Sequence, residues 1–377
     1  MAFVTGVGDT RFGRLEGETT LTLMAAAATE ALADAGLERK NVDGLLCGYS
    51  TTFPHLMLAT VFAEYFGLAP GYAHAMQQGG ATGCAMAMLA KRLVESRQCR
   101  HILVVAGENR LTGQSRDRTV ESLAQVGHPD YELPFGPTIP AYYGLVARRY
   151  MHEHGVSEAD LAGFAVLMRR NAGRHPKAHL RDPITEAQAL ASRAIAAPLK
   201  LLDCCPISDG AAAFVVSAAP TGEHRVRIAG AGQATTHQHV SAAPSLTEFG
   251  AGLAAGRALA EAGAAREDID LLAIYDSFTI TVLAQIEEIG FAPRGKAATL
   301  LREGVFEREG RLPLNTHGGL LSFGHCGCAG GMAHLLEAQR QLTGRAEARQ
   351  ARERSLAFVH GDGGVLSAHV SLVLKRE

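Results

Sequence analysis

A sixteen-residue segment occurs twice in this chain without a gap. A-L-A-D-A-G-L-E-R-K-N-V-D-G-L-L begins at Ala31, and A-L-A-E-A-G-A-A-R-E-D-I-D-L-L-A begins at Ala258. Eight of the sixteen positions are identical and several others are conservative, which chance rarely gives. The two copies lie too far apart for a stacked solenoid, so the expectation is an internal duplication: two similar halves packed together. Each copy reads as a helix of strong formers, closed by Ala-Gly and followed by a short apolar run of the kind that makes a buried strand.

A second echo links the halves. Gly79-Gly-Ala-Thr-Gly-Cys84 leads into a helix and then the apolar run His101-Ile-Leu-Val-Val-Ala106. Gly324-His-Cys-Gly-Cys-Ala-Gly-Gly331 leads into the helical pattern Met332–Leu342 and then Ser355-Leu-Ala-Phe-Val359. Six glycines lie between Asn315 and Gly331, around His325, and allow the backbone to pass close to a ligand. His325 therefore stands just ahead of a helix N-terminus, where free N–H groups and the dipole favour negative charge such as a thiolate or an enolate. A pseudo-twofold relation would bring both glycine-rich helix starts to one shared site.

Between the halves, residues 111–200 lack strand alternation and read as an inserted, mostly helical excursion with long loops, the kind of segment that covers a site. Its Arg169, Arg170, Arg174 and Lys177 are candidates to contact the phosphates of a charged ligand. Its apolar Leu133, Phe135, Ile139, Tyr142 and Tyr143 point to a bulky or aromatic group on that ligand. The expected division is 1–222 and 223–377, with 111–200 inserted in the first half. A chain of 377 residues, 47% hydrophobic and with a net charge of −2, has material for two fused halves but no basic stripe for nucleic acid. Its first ten residues carry no basic leader and no membrane-spanning run, so the cytoplasm is expected. Seven cysteines without framework spacing suit a reducing compartment. The C-x-C pair Cys326 and Cys328 departs from the C-x2-C usual for structural zinc, and no metal is assigned.

Together these residues resemble the thiolase superfamily, most closely the sterol-carrier-protein-type thiolases and their bacterial relatives. The resemblance spans essentially the whole chain. It rests on N-x-x-G-G at Asn315 followed by Gly324-His325, on Asp209-Gly-Ala-Ala-Ala213, on the duplicated halves, and on the closing turn His360-Gly-Asp-Gly-Gly364. It implies an α/β thiolase-like fold, two duplicated halves in a five-layered α-β-α-β-α arrangement with an inserted loop domain, and a homodimer. It also implies coenzyme A thioester chemistry with no permanently bound cofactor. The departures are as informative. Gly80 stands where thiolases open their C-A-S/T-G motif with the nucleophile, Tyr275-Asp-Ser-Phe278 replaces H-D-C-F or N-E-A-F, and His360 replaces the late cysteine.

Carbon–carbon chemistry beside a thioester needs an oxyanion site and a base. His325, Tyr275 and backbone groups at Gly80, Gly324 and Gly363 form the expected set. Cys84, one helical turn beyond Gly80, is either a substitute nucleophile or a small buried hydrophobe. Cys326 or Cys328 could serve as acid/base in place of the late cysteine, and His360, standing at that cysteine's position, joins the candidate catalytic set. Three readings follow. The first is acyl transfer on a β-oxoacyl-CoA with coenzyme A as acceptor. The second is aldolase-like cleavage of a β-hydroxyacyl-CoA through an enolate, without an acyl-enzyme. The third is a non-catalytic acyl-CoA-binding subunit. Relatives lacking the usual cysteine further imply a zinc-ribbon and OB-fold accessory protein.

Overall fold

The computed structural model describes residues 1–222 and 225–377; residue 223, the expected start of the second half, lies outside them. The first half runs β1 (Phe3–Asp9), α1 (Thr20–Asp34), β2 (Gly44–Gly48), α2 (Leu58–Phe66), β3 (Tyr72–Met76), α3 (Thr82–Glu95) and β4 (His101–Asn109). The inserted segment follows as α4 (Arg116–Ala124), α5 (Ile139–His154), α6 (Glu158–Ala172) and α7 (Glu186–Ala191), with a small hairpin of β5 (Ala194–Ala196) and β6 (Leu199–Lys200). β7 (Asp209–Ser217) closes the half. The second half runs β8 (Val226–Thr235), α8 (Ala251–Ala262), β9 (Leu271–Ile274), α9 (Thr279–Ile289), α10 (Ala297–Arg302), α11 (Cys328–Leu342), β10 (Leu356–Gly363) and β11 (Ala368–Arg376).

The duplication is visible in the pairing. The strand order is β3-β2-β4-β7-β1-β8-β11-β10-β9, so β2-β4-β7-β1 is mirrored by β9-β10-β11-β8. Both sets begin with a parallel pair and continue antiparallel. Between the strands of the two halves, β1 meets β8 at Phe3↔Arg227 and Val4↔Val226. The repeated segment folds the same way in each: α1, a short turn at Arg39–Asn41 and β2, against α8, a turn at Arg266–Asp268 and β9. Where the first half has β3, the second has a single parallel bridge, Leu272↔Leu314.

Strand alternation sorts the core into layers. On β4, Leu103 and Val105 face α1 and α2, whereas Ile102, Val104 and Ala106 face α3 and α11. α3 and α11 lie between the halves, with Met86, Met332 and Leu336 fully buried against Val104 and Val359. Each such side chain contributes roughly 1.5–3 kcal/mol of apolar burial. α8, α9 and the inserted helices cover the outer face of the second half around Phe358 and Val373. The result is the expected five-layered α-β-α-β-α fold. α11 begins at Cys328, four residues before the sequence pattern placed it, and is buried on nearly all sides. No helix among the described residues is long and apolar enough to cross a membrane.

Candidate active site

Two clamps bring a tyrosine and a histidine together. Asn315 holds the end of β9: its Oδ1 accepts from Ile274 N at 2.8 Å and its Nδ2 donates to Ile274 O at 2.7 Å. This fixes Tyr275, the next residue, as the chain leaves the sheet. Asp276, fully buried, accepts from Leu320 N at 2.7 Å and meets His334 Nε2 at 3.1 Å, so it secures the turn that carries the Gly-His motif. His325 is held through its backbone, with its N–H donating to Pro206 O at 3.2 Å and its carbonyl accepting from Ser208 N at 3.1 Å. The Tyr275 hydroxyl then lies 3.0 Å from His325 Nε2.

Both groups are neutral at rest. Burial, with the Arg110 guanidinium nearby, lowers His325 to about 3, and burial pushes the Tyr275 phenol well above its usual range. Gly80 explains how the phenol fits. A β-carbon there would lie 2.2 Å from both the ring carbon Cζ and the hydroxyl of Tyr275, and 2.4 Å from the carbonyl of Asp362. The Tyr275 hydroxyl therefore occupies the space that any side chain at position 80 would need.

Tyr275 and His325 line a cavity of about 300 Å³. Gly79, Gly80, Gly327 and Gly364 form part of its wall, and Val120, Leu123, Ile139 and Phe278 give it an apolar side. Arg110, paired with Glu108 at 2.5 Å, is a buried charge on the wall. Sequence reasoning missed Tyr49, Arg110, Cys204, Cys205 and Ser277, which also line it. Ser277 lies within the Tyr-Asp-Ser-Phe motif, a signal that was available; the others come from strand ends and a loop with no motif of their own.

Other expected site residues lie elsewhere. Cys84 is 2% exposed, turned against Gly361 in the middle layer and absent from the cavity wall; burial pushes its thiol up to about 12. Cys326 is fully buried in the same core, and its thiol is also pushed up by burial. Cys328 points to the Tyr49 carbonyl. His360 is enclosed between strands, 2.8 Å from Ser371 Oγ and 3.1 Å from His369 Nδ1, and burial keeps it neutral. Gly324 packs on Ser208 and Phe12, and Gly363 on the Gln78 carbonyl; neither reaches the cavity, whose glycine wall is Gly79, Gly80, Gly327 and Gly364.

The expected phosphate-binding group does not assemble at the cavity either. Arg169 is buried and donates to Ser322 Oγ at 3.1 Å and Asp182 O at 3.2 Å. Arg170 pairs with Glu307, and Lys177 with Asp9 and Glu30. These charges tie the inserted segment to both halves, and Arg174, like them, is not on the cavity wall. Of the apolar residues expected over the site, Ile139 and Tyr143 line it. Leu133, Phe135 and Tyr142 do not, and Phe135 is exposed.

Fold and motifs together define a thiolase-like enzyme, and family comparison agrees: residues 2–220 match the thiolase N-terminal domain and residues 232–376 the thiolase C-terminal domain-like family. The chain belongs to the thiolase superfamily, whose substrates are coenzyme A thioesters. It is 29% identical to an acetyl-CoA acetyltransferase of Methanothermobacter thermautotrophicus, over 97% of this chain and 98% of that one. It is 33% identical to a 17-hydroxy-3-oxo-4-pregnene-20-carboxyl-CoA lyase of Mycobacterium tuberculosis, over 91% and 92%. The solved structure of the Ltp2-ChsH2(DUF35) aldolase superposes with a TM-score of 0.87 at 31% identity, covering 100% of this chain and 97% of that chain.

Proposed function

We propose that this chain is a carbon–carbon lyase that cleaves a β-hydroxyacyl-CoA by a retro-aldol reaction. The observation that carries this reading is the Tyr275 hydroxyl, lodged in the space above Gly80 and bonded to His325 Nε2. The phenolic oxygen accepts the proton of the substrate's β-hydroxyl while passing its own to the imidazole, so no free tyrosinate forms. The C–O–H becomes a carbonyl, the Cα–Cβ bond breaks, and its electrons move to the thioester as an enolate. Burial opposes both ionised forms at rest, and the concerted transfer creates imidazolium and enolate together, as an ion pair in a low-dielectric cavity.

The relatives named for lyase and aldolase activity support this reading. The Ltp2-ChsH2(DUF35) aldolase also supports an accessory protein of the zinc-ribbon and OB-fold kind as a partner of this chain. A homodimer is proposed from the edge strand β3, whose residues are half-buried to exposed in the single chain. Acyl transfer to coenzyme A is supported by the archaeal acetyltransferase, and it requires a thiolate at the cavity. The thiols there are Cys204, pushed up to about 12 by burial, and Cys205, also raised by burial. The test is incubation with a panel of β-hydroxyacyl-CoA and β-oxoacyl-CoA esters, with and without the accessory protein, followed by mass spectrometry of products and intact protein. A carbonyl product with no protein adduct is expected; an acyl adduct on Cys204 or Cys205 would establish the transferase instead.

A further inference from the structure

A second pair reaches the cavity that holds the Tyr275–His325 pair. Tyr143, on α5, lines the cavity and stacks on Phe278 with ring centroids 4.3 Å apart. Its hydroxyl is 3.1 Å from Asp362 Oδ2 and 3.2 Å from Gly364 O. Asp362, on β10, is 1% exposed, and its Oδ1 has no hydrogen-bond partner.

The neighbouring histidines, both held neutral by burial, set the hydrogen bonds around this carboxyl. His369 Nε2 faces Leu366 O at 3.0 Å and so carries its ring proton there. Its Nδ1 is then a lone pair, which accepts from His360 Nε2 at 3.1 Å, and His360 Nδ1 accepts in turn from Ser371. His369 Nδ1, 4.0 Å from Asp362 Oδ1, therefore has no N–H to offer that oxygen. An ionised Asp362 would be a buried charge with a single donor, Tyr143, which is unfavourable. A protonated Asp362 donates from Oδ2 to the Tyr143 oxygen, and Tyr143 donates to Gly364 O, so each contact of the phenol has one proton. Burial accordingly holds the Asp362 carboxyl well above the usual carboxylate range.

We propose that Tyr143 is the acid that protonates the enolate at Cα, and that Asp362 is the positioning residue that resupplies its proton. The proposal rests on the lyase reading. The Tyr143 O–H turns from Gly364 O to the enolate carbon and forms the new Cα–H bond, while Asp362 Oδ2–H refills the phenol and is left as carboxylate. The proton gained by His325 and the proton lost by Asp362 cancel when the site re-equilibrates with water. Net, one proton moves from the β-hydroxyl to Cα, and nothing is oxidised or reduced. The two proton-transfer arms reach one cavity, one for the oxygen and one for the carbon.

The test separates the arms. Cleavage is read as carbonyl product in a single turnover, and carbon protonation as exchange of the acyl-CoA product's α-hydrogens in deuterium oxide. Asp362→Asn and Tyr143→Phe are each expected to slow α-exchange on the order of a hundredfold, the usual weight of one acid. The single-turnover carbonyl burst should fall much less, whereas Tyr275→Phe should suppress the burst. A role for Asp362 in folding alone would slow both readouts equally, in Tyr143→Phe as well, and overturn the proposal. Wild-type α-exchange in both variants would overturn it too, while leaving the lyase reading intact. A wild-type enzyme that releases no carbonyl product would sink the lyase reading, and this one with it.

Discussion

Replacing Gly80 by alanine adds one methyl group at the point where the Tyr275 hydroxyl, the Asp362 carbonyl and the start of α3 converge. The new carbon would lie 2.2 Å from the phenol, and ordinary contact begins at 3.4 Å, so the ring tip must retreat by more than an ångström. The Asp362 carbonyl, at 2.4 Å, is backbone near the end of β10, held by its pairing with β11, and gives little room to absorb the overlap. Since the Tyr275–His325 bond is 3.0 Å long, such a retreat breaks it. Overpacking of this kind costs about 1–3 kcal/mol of stability, measurable as a lower urea midpoint with unchanged slope. Turnover should fall about a hundredfold or more, equivalent to about 2.7 kcal/mol of barrier. The decisive assay is a double-mutant cycle with Tyr275→Phe on single-turnover cleavage. If the methyl acts by displacing the phenol, the double variant is no slower than the slower single variant. Losses that multiply, or a Gly80→Ala enzyme with wild-type turnover, would refute the claim that this glycine exists to seat Tyr275.

His325→Ala should lower turnover on the order of a hundredfold, as for loss of one transition-state donor worth about 3 kcal/mol, with the folded fraction by circular dichroism little changed. Cys84→Ala should retain activity and form no acyl adduct; loss of activity in a folded variant would return Cys84 to the chemistry. Acid should destabilise the protein through its buried histidines. His175 and His369 are lowered to about 4 and His325 to about 3, chiefly by burial, from the ordinary 6.5. The unfolded chain takes up these protons first. Stability is therefore full above pH 6.5 and is lost as pH falls toward 4, by about 1.4 kcal/mol per histidine for each unit. The raised carboxyls of Asp276 and Asp362 work in the opposite sense, and the melting temperature against pH gives the balance. Light scattering at micromolar concentration should report a dimer; a stable monomer would remove that proposal.

The sequence by itself determined that the chain is built of two similar halves, because the signals for that are local and repeated; their layering was implied by the resemblance to thiolases. The segment at Ala31 and its copy at Ala258 each encode a helix, a turn and a strand through nearest-neighbour preferences, and both copies fold that way. His325 and Tyr275 were legible for a similar reason: each stands in a motif beside an element boundary. What only the tertiary structure decided is which groups share a space. Cys84 and Gly80 are only four residues apart, but Gly80 lies in the turn before α3, on the cavity wall, whereas Cys84 lies within α3 and is packed into the core. Arg169 and Lys177 read as ligand-binding charges until the fold supplied their internal partners. Tyr143 and Asp362, more than two hundred residues apart, meet only because α5 is laid over the end of β10. Such long-range pairings leave no trace in spacing, since they depend on packing between layers rather than on the periodicity of any one element.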